Sequence, residues 1–215
     1  MAVIKEAARV SAPRSRSVPA ARRVRKAKEA AGSRERILDA AASLFRRRGY
    51  KSTTVRDIAE EVGILSGSLF YHFRSKEEIL LEIMRAAAIL NCREADKIVS
   101  RPGDPAAQLR DLVGLEIAFT IGERNRDFQA VLYSEWREVP EAARPEFMAL
   151  RKIYRDFWRR ALNACHAQAR LRCEPNAAEL IIHASIIGMM RWYDPAGQFG
   201  LKQFGDILTG LVVAG

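Results

Sequence analysis

Gly63 to Leu80 reads GILSGSLFYHFRSKEEIL, and the arrangement of the helices around it decides the fold. Gly63 can end one helix in a left-handed turn, and a short helix from about Ser66 to Phe73 follows. That segment carries small hydroxyls and aromatics, as a helix does that must enter a major groove about one helix wide. Upstream, Val55, Ile58, Ala59 and Val62 recur at helical spacing, so a second short helix braces the first. Thr54 is its expected cap, and Asp57 three residues on completes a capping-box-like pair. Downstream, Ser75 and Glu78 form an S-x-x-E box that opens a long helix to about Val99. Further upstream, Ser33 is the expected cap of a first helix with Ile37, Ala41, Leu44 and Phe45 on one face. Arg46 to Arg48 load its C-terminus with positive charge, and Gly49 is the expected stop.

The run Arg101-Pro102-Gly103-Asp104-Pro105 breaks the pattern, with Asp104 as a cap and Pro105 at the first helical position. Five more helices are expected, at roughly 105–122, 125–137, 145–170, 175–193 and 199–213. No alternating strand pattern competes with them. The reading is all-α, with about nine helices. Residues 1–32 form a basic disordered arm, 33–80 a helix-turn-helix unit, and 81–215 a larger helical domain.

Charge sharpens that division. Of a net +10 over 215 residues, the first 32 hold nine basic residues against Glu6 and Glu29, leaving only +3 elsewhere. Attraction to a polyanion is thus concentrated in the arm, which could contact DNA or serve only as a solubilising leader. Cys92, Cys165 and Cys173 have neither the number nor the spacing of a disulfide framework or a zinc site, and suit a reducing cytoplasm. No apolar h-region marks a secretory signal, and no run is long enough to span a membrane. Glycine-rich phosphate loops and the usual hydrolase motifs are absent, so neither an enzyme nor a cofactor is expected.

Candidate contacts to DNA are Ser66, Gly67, Ser68, Tyr71 and His72 on the groove helix, with Lys76 beyond it and Lys51, Thr53 and Thr54 before the bracing helix. Lys76 belongs with them because a charge beside free backbone N–H groups is a phosphate site. The alternative is a plain helical hairpin whose aromatics are core. In the larger domain the aromatics Phe119, Phe128, Tyr133, Trp136, Tyr154, Phe157, Trp158 and Trp192, with Met148 and His183, are candidates for a ligand pocket or for ordinary core. Arg151, Arg155 and Arg159 fall at i, i+4 and i+8 beside Phe157 and Trp158. Such a stripe could hold the phosphorylated head of an apolar effector, or be a solvated basic face. The candidate ligand set is Phe119, Tyr133, Trp136, Arg155, Trp158, Arg159, His183 and Trp192. The segments around 175–193 and 199–213 are apolar almost all round, which demands burial on several sides.

The run RERILDAAASLFRRRGYKSTTVRDIAEEVGILSGSLFYHFRSKEEIL, Arg34 to Leu80, resembles the DNA-binding domain of the TetR family of bacterial repressors. The resemblance implies a homodimer that binds a palindromic operator through the third helix and is released by a small effector in the C-terminal domain. It also implies that the apolar C-terminal helices form a two-fold interface. Carried over by position, Ser68, Tyr71, His72 and Lys76 would touch DNA. Leu65 stands where the family often has Ser, and Phe70 where it often has Tyr. GILSGSL, taken with RWYDPAGQ at Arg191 to Gln198, resembles TetR-type repressors of lipid and steroid breakdown that respond to acyl-CoA thioesters. Free fatty acids or apolar drugs are the alternative effectors, and a ligand-independent architectural DNA binder is the alternative function.

Overall fold

The structure is a computed structural model that describes residues 20–122 and 125–214, with side chains from Gly32 onward. By Cα packing the chain divides into residues 1–35 and a compact unit of residues 36–215, which holds all the packing described below. Every regular element among the described residues is helical: α1 (Ala20–Arg48), α2 (Val55–Val62), α3 (Ser66–Leu69), α4 (Lys76–Val99), α5 (Pro105–Thr120), α6 (Arg126–Ser134), α7 (Arg144–Ala167), α8 (Pro175–Trp192) and α9 (Leu201–Val212).

Most boundaries follow from local chemistry. Thr54 and Asp57 make the full reciprocal box at the start of α2: the Thr54 hydroxyl accepts from the Asp57 N–H, and the Asp57 carboxylate accepts from the Thr54 N–H. Gly63, at φ +74°, closes α2 in the left-handed region, and the Ile64 N–H donates to the Ala59 carbonyl. Together these bonds satisfy carbonyls that the helix end would leave open. Asp104 caps α5 by accepting from the Ala107 N–H, with Pro105 at its first position.

Four expectations change. Ser33 caps nothing, because α1 begins at Ala20 and runs straight through it. Residues 20–32, assigned to the disordered arm, are therefore helical; Ala, Arg and Lys dominate them, and these are strong helix formers. The rest of that arm, residues 1–19, lies outside the described residues. The box at α4 is only half formed: the Ser75 hydroxyl accepts from the Glu78 N–H, but the Glu78 carboxylate turns outward to accept from the Arg74 N–H. The groove helix ends at Leu69 rather than Phe73. Leu65 gives it no side-chain cap, and beyond it the Tyr71 and His72 N–H groups bond three residues back, to Ser68 and Leu69. The segment tightens into turns, as short uncapped helices do.

Two apolar clusters fill the compact unit. One joins Ile37, Leu44 and Phe45 of α1, Ile58 and Ala59 of α2, Leu69 of α3 and Ile79 to Met84 of α4. Val131 of α6, Val139 and Phe147 of α7 belong to the same cluster, so the first four helices do not close their own core. The other cluster gathers the far end of α4 with α5, α7, α8 and α9. Between the two, the buried amides of Asn91 (α4) and Gln129 (α6) bond reciprocally at 3.2 and 2.6 Å. Ion pairs cross the same seam: Arg46 with Asp127, Lys51 with Glu138, and Arg85 with Glu146.

If Phe147 closes the core of the first four helices, Phe147→Ala should destabilise the whole unit by about 3–5 kcal/mol in urea unfolding, the usual cost of emptying a buried aromatic site. A loss below about 0.5 kcal/mol would mean that those helices hold together without α7.

Candidate DNA interface and effector domain

On the α2–α3 unit, burial separates the residues that brace from those that face solvent. Leu69 and Phe73 are fully buried, as their inward positions required. Tyr71 is 90% exposed, Leu65 79% and Phe70 54%. Three large side chains within seven residues are thus left open to solvent, more apolar surface than a solvated helix usually shows. Gly67 is exposed, and Ser66, Ser68 and His72 are half-buried at its edge. The structure thus brings Ser66, Gly67, Ser68, Tyr71 and His72 to one short segment. Leu65 and Phe70 join them as exposed apolar groups; the sequence marked these only as departures from a pattern.

Before α2 the outcome is mixed. Thr54 is exposed, though its hydroxyl is engaged with Asp57. Thr53 is not a surface residue: it is wholly buried, and its hydroxyl donates to the Gly49 carbonyl at 2.9 Å. It ties the turn that follows α1 and cannot reach a ligand. Lys51 keeps an exposed side chain, but its ammonium lies 3.1 Å from Glu138, which offsets part of its charge.

Lys76 also does something other than expected. Its ammonium donates to the carbonyls of Tyr50 and Thr53, both at 2.8 Å, and sits 4.1 Å from the centre of the Tyr50 ring. Burial, then the nearby carboxylates Glu77 and Glu138, raise the Tyr50 hydroxyl above its usual 10.0. The lysine therefore pins the 50–53 turn to the start of α4, and its charge is turned inward rather than toward a phosphate.

In the larger domain the candidate ligand residues do not form one group. Phe119, Tyr133, Trp158 and His183 lie on α5 to α8, where Trp158 is wholly buried and meets the His183 ring edge-on at 4.7 Å. Trp136 belongs elsewhere: it packs against Phe147 in the cluster of the first four helices. Trp192 is half exposed at the end of α8 against Phe204 of α9, on an apolar surface that includes Leu180, Ile187, Met190 and Leu211. Arg155, with a half-exposed side chain, pairs at 2.9 Å with the nearly buried Glu179. Arg159 remains exposed.

The polar residue that sequence reasoning missed is Glu116 of α5. It is 3% exposed and accepts the hydroxyls of Tyr133, at 2.9 Å, and of Tyr154. Burial first, then the Glu116 charge, hold both phenols well above their usual 10.0, so they stay protonated donors. Only the positions of the tyrosines could have hinted at it, because Glu116 sits in an otherwise apolar stretch.

The profile described as "Bacterial regulatory proteins, tetR family" matches residues 37–83, and the one described as "Tetracyclin repressor-like, C-terminal domain" matches residues 102–215. The chain belongs to the TetR family. It is 32% identical to the HTH-type transcriptional repressor KstR2 of Mycolicibacterium smegmatis over 189 residues, 86% of this chain and 91% of the relative. Among solved structures, the ketosteroid transcriptional regulator KstR2 of Mycobacterium tuberculosis superposes with a TM-score of 0.73 at 29% identity, over 85% of this chain and 95% of that one. AibR, solved with isovaleryl coenzyme A and operator DNA, shares the fold with a TM-score of 0.74 at 23% identity, over 83% of this chain and 97% of its own. A TetR-family chain is a DNA-binding transcriptional regulator and not an enzyme. Among its described residues, no group of three or more His, Cys, Asp and Glu could hold a metal ion, and no helix is long and apolar enough to cross a membrane.

If Lys76 acts through the turn, Lys76→Gln should cost about 1–2 kcal/mol of stability, the range for a half-buried charged donor that loses its acceptors. DNA binding should then weaken with its salt slope unchanged. A slope lower by about one with full stability would instead place the ammonium on a phosphate.

Proposed function

We propose that this TetR-family regulator is a dimeric repressor that reads a palindromic operator through Ser66–His72 and leaves it when an apolar effector binds the C-terminal domain. The observation that carries the DNA half is the exposure of Leu65, Phe70 and Tyr71 on a segment whose Leu69 and Phe73 are locked in core. A rigidly seated segment with outward aromatics and hydroxyls suits base edges and phosphates, and Leu65 or Phe70 suits a thymine methyl group. Thr54 and Lys51 lie before α2 as further phosphate contacts, with Lys51 partly neutralised by Glu138. Functionally, residues 33–80 read DNA, and residues 81–215 sense and dimerise, with the remainder of the arm adding salt-sensitive affinity.

The dimer reading rests on α8 and α9. Leu180, Ile187, Met190, Trp192 and Leu211 are each about half exposed or more, on helices whose opposite faces are already buried. Covering such a surface with its symmetry mate is the economical arrangement for a two-fold interface.

The effector reading is a CoA thioester. It is supported by AibR, of the same fold, which was solved with isovaleryl coenzyme A and operator DNA. Arg151 and Arg159 are the exposed cations left to meet phosphates, with Trp158 inward of them. The Arg155–Glu179 pair removes one cation from that stripe, and it favours the second reading: a fatty acid or apolar drug with no phosphate head.

A duplex selected from a random library tests the DNA half by fluorescence anisotropy. Tyr71→Ala and His72→Ala should each abolish binding while sedimentation still shows a dimer; undiminished affinity would remove α3 from the groove. For the effector, thermal shifts with acyl-CoAs, free acids and apolar drugs should single out the CoA thioesters. A ligand at 100 times its Kd stabilises the folded state by about 2.7 kcal/mol. Arg159→Ala should weaken that response without altering DNA affinity; a response confined to uncharged drugs would overturn the thioester.

A further inference from the structure

Lys51, just before α2, and Glu138, in the single 3₁₀ turn Trp136–Glu138 between α6 and α7, form an ion pair at 3.1 Å. The two side chains are held very differently. Glu138 is only 21% exposed, and its neighbours fix it from both sides. Trp136 packs edge-on against Phe147, Val139 is buried in the same core, and the Arg144 guanidinium donates to the Val139 carbonyl at 3.2 Å. Lys51 is 80% exposed on a flexible four-carbon stem. The carboxylate is therefore the fixed partner and the ammonium the movable one.

Lys51 is the one basic residue of the 50–54 turn. Two other cations nearby are already spent: Lys76 gives its ammonium to the carbonyls of Tyr50 and Thr53, and Arg46 pairs with Asp127. An exposed ion pair is worth little against water, so the Lys51 ammonium is readily exchanged. A DNA phosphate offers it another anion, and that contact also releases counterions from the duplex. Once Lys51 leaves, the Glu138 carboxylate stands uncompensated near a polyanion, which opposes the exchange.

We propose that Glu138 is a built-in competitor for the operator: its carboxylate and a backbone phosphate contend for the Lys51 ammonium, and the contest holds DNA affinity below what the same surface could give. This rests on the reading that the turn before α2 meets the DNA backbone. Glu138 comes from the chain beyond α6, so the C-terminal part of the compact unit sets some of the charge that DNA meets.

Fluorescence anisotropy of the full chain on the selected duplex, at several salt concentrations, tests it as a double-mutant cycle. Glu138→Gln keeps the shape and frees Lys51. It should tighten binding about twofold to fivefold per half-site, the range of one exposed ion pair, with a steeper dependence on salt. In a Lys51→Gln background the same change should add nothing. Glu141→Gln, which removes an exposed carboxylate three residues on, should leave affinity as it is. Should Glu138→Gln not fold, Glu138→Ala takes its place in the cycle. An unchanged affinity for Glu138→Gln overturns the competitor. So does a gain that persists without Lys51, or an equal gain for Glu141→Gln, since either is the general effect of removing a negative charge. If Tyr71→Ala still abolishes binding in those cases, the DNA reading stands. A wild-type chain that selects no duplex overturns both.

Discussion

Helices α1 to α4 present an apolar interior that they cannot close by themselves. Phe147 of α7, Val131 of α6 and Val139 cover it, so the geometry of the α2–α3 segment is set partly by residues far along the chain. Apolar surface of that size cannot remain in water, and interiors pack too densely to tolerate a poorly seated lid. Anything that moves α6 or α7 must therefore either carry the first four helices along or open their core. The ion pairs Arg46–Asp127 and Arg85–Glu146 follow the same seam. Being largely exposed they add little stability, but they favour one alignment.

Within that frame, the 50–53 turn is fixed by groups that look from the sequence like surface chemistry. Thr53 bonds back to Gly49, and Lys76 bridges to Tyr50 and Thr53. Both lie beside the segment they were expected to join, and both stiffen its support. The exposed side chains Leu65, Phe70 and Tyr71 can then be large and apolar because the backbone beneath them does not need them for packing.

Helix identity and most ends were legible from spacing and caps, since Thr54–Asp57, Gly63 and Asp104–Pro105 act on near neighbours. Burial of Leu69 and Phe73 followed from the same periodicity. What escaped were effects that depend on distant partners. Ser33 looks like a cap only if the helix-forming run before it is set aside. The burial of Thr53 and the bonds of Lys76 to the 50–53 turn escaped because their acceptors are backbone carbonyls, which carry no sequence signal. Trp136 and Trp158 look alike in sequence, yet packing sends one to each apolar cluster. Glu116 was invisible because its meaning comes from tyrosines on two other helices. The Arg155–Glu179 pair is likewise a contact between α7 and α8 that helical spacing on either one cannot reveal.

The Asn91–Gln129 pair has a consequence for how movement could pass along α4. Its two bonds join side chains on different helices in opposite senses, and both amides are sealed from water. A slip of α4 past α6 cannot stretch one bond and keep the other, nor can solvent replace them midway. Any such slip would have to leave two buried amides unpaired at once, at a cost of about 1–3 kcal/mol each. The cost falls on any relative movement of the two helices, so α4 and α6 are held to one register there.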